Sequence, residues 1–337
     1  MHASLLAPCP PLCYIEGSKG REPAWPLPHA RREGDCLMMC MPAAISTDFE
    51  SESGRLEELE ATLRSIAQAG FSHMHWCHEW DGEYLYSVWE MEQIRDWMTR
   101  YGLRAKALHA SKGSARRIDV RDWHYRRDYT SDWECCRKAG VELVRNRVDF
   151  AACIGASEIV LHLYVPYLTF QRSPQERERF YAQVEKSLDE LMPYCVNRGV
   201  RICLENLFDV PEPEIRGQWD RLFLRYPASF LGICLDSGHG FITWRERLPE
   251  IVRQYASRIF AVHLHDNTGT ADSHLLPGEG EIPWPELMAA LRETPYTLPL
   301  TLEVVRSGEP TDVFLQRALE ACGRLSDLYE QGGSSPV

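Results

Sequence analysis

Residues 47–54 read Thr47-Asp-Phe-Glu-Ser-Glu-Ser-Gly54. This stretch joins a short apolar run, Ala43 to Thr47, to a helical pattern over 53–69. In that pattern Leu56, Leu59, Leu63 and Ile66 recur on one face before Gly70. A strand, a loop and a helix in that order open either a doubly wound sheet or a barrel. In the doubly wound dinucleotide-binding fold the first such loop is glycine-rich, because backbone amides must approach a pyrophosphate. Here the loop carries Asp48, Glu50 and Glu52, which repel one. The loop argues for the barrel.

The same beat continues along the chain. Strand patterns fall at 71–75, 103–109, 157–163, 200–205, 230–236, 259–265 and 300–304. Helical patterns follow them at 87–101, 131–154, 174–197, around 219–226, then 245–255, 284–292 and 313–329. Gly102, Gly155 and Gly199 stop three of these helices. With the first unit this makes an α/β chain of eight strand–helix repeats, which predicts a single (β/α)8 TIM barrel over 41–330.

The flanks differ from this core. Residues 1–40 hold Pro8, Pro10, Pro11, Pro23, Pro26 and Pro28 without apolar periodicity, and predict a disordered, unstructured N-terminal extension. Its CxxxC pairs, Cys9 with Cys13 and Cys36 with Cys40, are spaced too loosely to read as a zinc site. It lacks the charged start, apolar core and cleavage site of a signal peptide. Residues 331–337 predict a loose tail.

The 337 residues are 44 % apolar and 26 % charged, the balance of a globular protein. A formal charge of −12 argues against nucleic acid as a partner. No apolar run is long enough to span a membrane. The twelve cysteines are irregularly spaced, and Cys153, Cys203 and Cys234 sit inside apolar runs as small hydrophobes. A reducing cytoplasm is the expected compartment.

Chemistry concentrates where the strands end. The third strand ends on His109, the fourth on His162, and the fifth on Glu205 and Asn206. The sixth ends on Asp236 with His239 just beyond, the seventh on His263, His265 and Asp266, and the eighth on Glu303. In a barrel these ends converge on one rim. Carboxylates gathered in an apolar mouth need a compensating charge, which a divalent cation supplies. Glu205, Asp236, His263 and Glu303 stand at equivalent depth and form an oxygen-rich set for a first-row metal. His265 is the rival to His263, since the two point to the same side of their strand. Past the second strand, Trp76, His78 and Trp80 are candidates to wall a sugar pocket, with core packing the alternative for each.

These residues resemble the xylose-isomerase-like TIM barrel superfamily, in particular its sugar phosphate isomerase/epimerase branch. The resemblance spans roughly 43–325. It rests on Leu204-Glu205-Asn206, Leu235-Asp236-Ser-Gly-His239 and His263-Leu-His-Asp266, which runs on to Asp272-Ser-His274-Leu-Leu-Pro-Gly-Glu-Gly280. Ile282-Pro-Trp284 and Leu302-Glu303-Val304 complete it. It implies one divalent metal held by Glu205, Asp236, His263 and Glu303: manganese first, with magnesium, cobalt or zinc as alternatives. It implies that His239 touches substrate.

The expected activity is a metal-dependent isomerase or epimerase of a sugar or sugar phosphate. Glu205 or Glu303 removes a proton beside a polarised carbonyl, and its partner returns one through a metal-stabilised enediolate. His109, His162, His265, Asp272, His274 and Trp76 are expected to bind the substrate, with His274 and Asp272 ordering the loop above it. The expected partner is a small polyhydroxylated molecule, with neither nucleic acid nor membrane, and a homo-oligomer is compatible with the sequence. The same superfamily contains endonuclease IV, a trinuclear zinc hydrolase acting on abasic DNA, and His109, His162 and Asp272-Ser-His274 stand where its extra ligands fall. Against it, residues 266–281 contain no Lys or Arg to hold phosphates. A non-catalytic sugar-binding barrel is the third reading.

Overall fold

The structure, a computed structural model, describes residues 41–49, 56–112, 116–117, 120–121 and 126–331. The expected extension, its cysteine pairs and the tail after Gln331 lie outside the described residues.

Eight parallel strands form the barrel wall: β1 (Met41–Ser46), β2 (Phe71–Trp76), β3 (Arg104–Ser111), β4 (Glu158–Leu161), β5 (Arg201–Glu205), β6 (Leu231–Asp236), β7 (Ile259–His263) and β8 (Thr301–Leu302). Each strand from β1 to β7 pairs with the next, and β8 returns to β1 with Ala44 beside Thr301. The ring closes between β7 and β8 through a parallel bridge of Leu264 and Leu302. There the Leu264 amide donates to Thr301 O at 3.0 Å and the Glu303 amide to Leu264 O at 3.1 Å. An antiparallel ribbon of Arg116–Arg117 and Val120–Arg121 lies outside the barrel sheet.

Apolar spacing marks the helices, and the side chains of Ser87, Ser173 and Asp236 cap the starts of three of them. α1 (Leu56–Ala69) is followed by α2 (Val88–Tyr101), which starts on a Ser87/Glu90 capping box and stops at Gly102 with φ 70°. α3 (Glu134–Ile154), α4 (Tyr167–Arg172) and α5 (Pro174–Arg198) come next, α5 capped by Ser173 with proline in its first turn. α6 (Glu212–Arg225), α7 (Ser237–Trp244), α8 (Leu248–Gln254), α9 (Trp284–Arg292) and α10 (Thr311–Gln331) complete the set.

Three of these depart from the sequence reading: α4 (Tyr167–Arg172) has no counterpart in it, and two more differ. α6 begins seven residues earlier than expected, at Glu212, because Pro211 and Pro213 stand where a first turn tolerates them. α7 also has no counterpart in the sequence reading, and it holds two glycines, which are unfavourable inside a helix. Its glycines serve close approach instead: a Cβ on Gly238 would collide with the His265 ring.

The apolar core divides in two. The larger part lies between strands and helices and includes Ile45, Phe71, Trp76, Ile202, Leu235 and Leu302. A separate small layer inside the barrel consists of Val160, Cys203, Cys234 and Ala261. Small residues suit a barrel axis where four strands meet.

Candidate active site

At the C-terminal rim a cavity of about 260 Å3 is lined by Glu205, His239, Asp272, His109, His162 and Glu303 together with neighbouring aromatic and apolar groups. Among the described residues no Lys or Arg lines it.

Glu205 ends β5, and its side chain is nearly fully buried. Its Oε2 lies 3.2 Å from His162 Nε2, 3.6 Å from His109 Nε2 and 3.2 Å from His263 Nδ1. Its Oε1 lies 3.1 Å from His239 Nδ1. Glu303, just past β8, brings Oε2 to 3.2 Å from the same His263 Nδ1. His263 Nδ1 makes no hydrogen bond of acceptable geometry despite these two contacts. It is a buried nitrogen facing two carboxylates.

Asp236 completes the set from β6. It is fully buried, and its Oδ1 caps α7 by accepting the His239 amide at 2.7 Å. Asn206 fixes the ends of β5 and β6 together, donating Nδ2–H to Asp236 O and accepting the Asp236 amide, both at 2.9 Å. Ligand atoms of Glu205, Asp236, His263 and Glu303 all lie within 4.8 Å of one another. Three buried carboxylates and an imidazole without a cationic side chain fit a divalent metal, which is the charge they lack.

His265 sits elsewhere than expected. Its ring is fully buried, with Nε2 3.0 and 3.1 Å from the two Asp236 oxygens. Its amide and carbonyl are both tied to Ser237 Oγ. It does not line the cavity; it orients Asp236 from behind. Trp76 is also away from the mouth. Successive residues of β2 face opposite sides, so His75 points into the barrel towards His263 while Trp76 points outward against Phe150 of α3. The Trp76 indole donates to Tyr86 Oη at 3.0 Å. Trp80 holds the expected wall position, its ring 4.5 Å from that of His109 and 5.0 Å from that of His162.

The loop after β7 is built on Asp266. Its carboxylate accepts amides from Asn267, Gly278 and Ile282 and the Trp284 indole N–H, so it folds 266–284 into one unit. Within that unit Asp272 Oδ2 lies 3.2 Å from both His239 Nε2 and His274 Nε2. His274 stacks on His265 at 4.0 Å and places Nδ1 2.9 Å from Glu303 O. His239, His265, Asp272 and His274 thus form a second ligand-like group, and His109, His162 and Glu205 a third. The structure brings every expected site residue except Trp76 into one connected cluster.

Burial opposes charge on all these groups, and their mutual contacts override it unevenly. Burial lowers the pKa of His162, although Glu205 pulls it upward. For His239 burial is outweighed by Asp236, Asp272 and Glu205, which hold it well above the ordinary value. His274 is likewise raised to about 10, chiefly by Asp272 after burial is overcome. Burial would raise Glu205 and Glu303, but the neighbouring imidazoles keep both well below the usual carboxylate range.

Asp48 also lines the cavity and was read in the sequence only as part of a repulsive loop. Its carboxylate accepts from Ser46 Oγ and, at 3.1 Å, from the Cys77 thiol. Burial first, and Glu303 second, raise its pKa. The signal was available: an acid two residues past β1 reaches the same rim as the acid after β8, because β1 and β8 are neighbours.

With this geometry in view, comparison with known proteins identifies the family. Residues 63–322 match the xylose isomerase-like TIM barrel family. The chain belongs to that family. An uncharacterized protein of Sinorhizobium fredii (strain NBRC 101917 / NGR234) is 32 % identical over 254 residues, covering 73 % of this chain and 81 % of its own. Fructoselysine 3-epimerase of Shigella flexneri is 23 % identical over 192 residues, 56 % of this chain and 67 % of its own. Among solved structures, a D-psicose 3-epimerase crystallised with D-fructose aligns with a TM-score of 0.65 at 17 % identity, covering 87 % of this chain and 100 % of its own. The 3-keto-D-glucoside 4-epimerase of E. coli aligns at 0.60 and 18 %, covering 84 % and 99 %.

Proposed function

We propose that this family member is a metal-dependent epimerase or isomerase acting on a small ketose or ketose phosphate. The observation that carries this reading is His263 Nδ1, buried 3.2 Å from both Glu205 and Glu303 beside Asp236, in a cavity with no lysine or arginine among its described lining residues. The names of the epimerase relatives support the same class of chemistry. A divalent cation held by Glu205, Asp236, His263 and Glu303 supplies Lewis-acid polarisation of a substrate carbonyl. Glu205 and Glu303 come from β5 and β8, on different sides of the ring, and act as the proton-removing and proton-returning carboxylates. His239, kept charged by the acids around it, donates to a substrate hydroxyl, and Trp80 covers an apolar face of the sugar.

The two flanking ligand-like groups favour a second reading, a multinuclear zinc hydrolase related to endonuclease IV. One assay pair separates them. Metal analysis is combined with deuterium incorporation into a ketose panel in D2O and with cleavage of an abasic duplex. One equivalent of metal with exchange beside a ketose carbonyl is the expected outcome. Three zinc ions with duplex cleavage would replace the epimerase reading by the hydrolase.

Among the described residues no helix is long and apolar enough to cross a membrane. Cys195, Cys203, Cys234 and Cys322 pack in the interior as small apolar groups, which supports the cytoplasm as the compartment.

A further inference from the structure

A second cavity of about 260 Å3 opens at the opposite, N-terminal end of the barrel. It is lined by His73 of β2, Lys106 of β3, Ser157 and Glu158 at the start of β4, Arg201 of β5 and the turn at 295–299. The groups at this floor are not shared with the mouth.

Their charges do not balance. Arg201 Nη1 pairs with Glu158 Oε1 at 3.0 Å, and the guanidinium lies 3.6 Å from the centre of the Phe260 ring. Its Nε is buried without a hydrogen-bond partner. Lys106 Nζ donates to Thr297 O and Oγ1 and sits 4.5 Å from the Tyr296 ring centre. Among the described residues no carboxylate lies within ion-pair distance of it. Two cations and one carboxylate therefore leave one uncompensated positive charge in a partly buried space, on a chain whose formal charge is −12. A half-buried ammonium without a counter-ion is costly, and a bound anion relieves that cost.

His73 reports the same local field. Burial first, then the charges of Arg104 and Lys106, push its pKa down to about 4. Its Nδ1 is engaged by Ser72 Oγ at 2.7 Å, which leaves Nε2 as its other polar atom. The space, about 260 Å3, takes a phosphate-sized group and is below the ~300 Å3 at which pockets for drug-sized ligands begin.

We propose that this floor cavity binds a phosphate-sized oxyanion, with Lys106 and Arg201 as its charge partners and His73 as a hydrogen-bonding wall. The oxyanion is free phosphate or the head of a small phosphate ester. The proposal stands independently of the chemistry assigned to the mouth.

The test titrates inorganic phosphate into the full-length protein at constant ionic strength, following the His73 imidazole by NMR. Saturable binding at millimolar phosphate, accompanied by an upward shift of the His73 pKa, is expected. Lys106→Met, which keeps the apolar stem, should weaken binding by about tenfold or more. Arg201→Lys should weaken it less, since it keeps the charge but loses the fork. Glycerol 3-phosphate binding more tightly than inorganic phosphate assigns the site to esters, and the reverse order assigns it to the free ion. A His73 response that does not saturate, that chloride reproduces, or that persists in Lys106→Met overturns the proposal.

Discussion

At its C-terminal rim the barrel gathers Asp48, Glu205, Asp272 and Glu303 among histidines, with no lysine or arginine among the described residues that line the cavity. At its N-terminal end the same strands surround a space of equal volume with Lys106 and Arg201 over a single glutamate. Between them the barrel interior includes a small apolar cluster of Val160, Cys203, Cys234 and Ala261. Parallel strands make this asymmetry available, because every strand presents its first residues to one end and its last to the other. The strands are thus shared scaffolding, and the residue types at each end decide which ion is drawn there. An acidic mouth with no lysine or arginine among its described lining residues suits a metal; a cationic floor without enough acid suits an anion.

The largest effect expected from this contrast is at the mouth. Glu205→Gln or Glu303→Gln should reduce ketose deuterium exchange by about 10²–10⁴-fold while circular dichroism stays unchanged. An active variant of either would show that the rim acids are structural.

Metal content then separates the two strand-seven histidines. His263→Ala should lose bound metal, whereas His265→Ala should lower metal affinity by only about 10–100-fold, since His265 acts through Asp236. The reverse order, read by metal analysis after dialysis, would place the ligand one pleat further on.

A smaller effect is expected from Asp48→Asn. The variant should keep its metal and raise KM for the exchanged ketose by about tenfold, as loss of one charged acceptor does. An unchanged KM would remove Asp48 from the substrate-facing wall.

The smallest effect belongs to the floor. The folded chain holds His73 near a pKa of about 4 against 6.5 for the ordinary group, so between those values the unfolded chain binds the extra proton. Stability is then lost as pH falls through that window. The urea midpoint should drop between about pH 7 and pH 4.5, and drop less in His73→Gln. Equal drops would mean that His73 titrates alike in both states.

Much of the mouth is legible in the chain because parallel strands end on their functional residues. Reading Glu205, Asp236, His263 and Glu303 as strand-terminal groups is enough to bring them together once the barrel is inferred. Trp76 and Trp80 show where that logic stops. Trp76 ends the strand and Trp80 follows it, and the pleat turns Trp76 outward onto Phe150 while Trp80 walls the cavity. His265 is a second example: strand alternation puts it on the same side as His263, but its backbone is pinned to Ser237 and its ring to Asp236. The helix over Ser237–Trp244 has no counterpart in the sequence reading; it holds two glycines, unfavourable by propensity, and Gly238 is required by the ring it packs against.

By itself the sequence determined the strand–helix alternation, the barrel and the ligand-type residues at its strand ends, since periodicity and residue chemistry are local properties of the chain. Only the tertiary structure decided which of those residues face the cavity, that Asp266 serves the loop while Asp48 serves the wall, and that a second, cationic cavity exists. Its residues stand at 73, 106, 157, 158 and 201, each unremarkable among its sequence neighbours. Their charges fail to balance only when four strand beginnings are folded around the same small space.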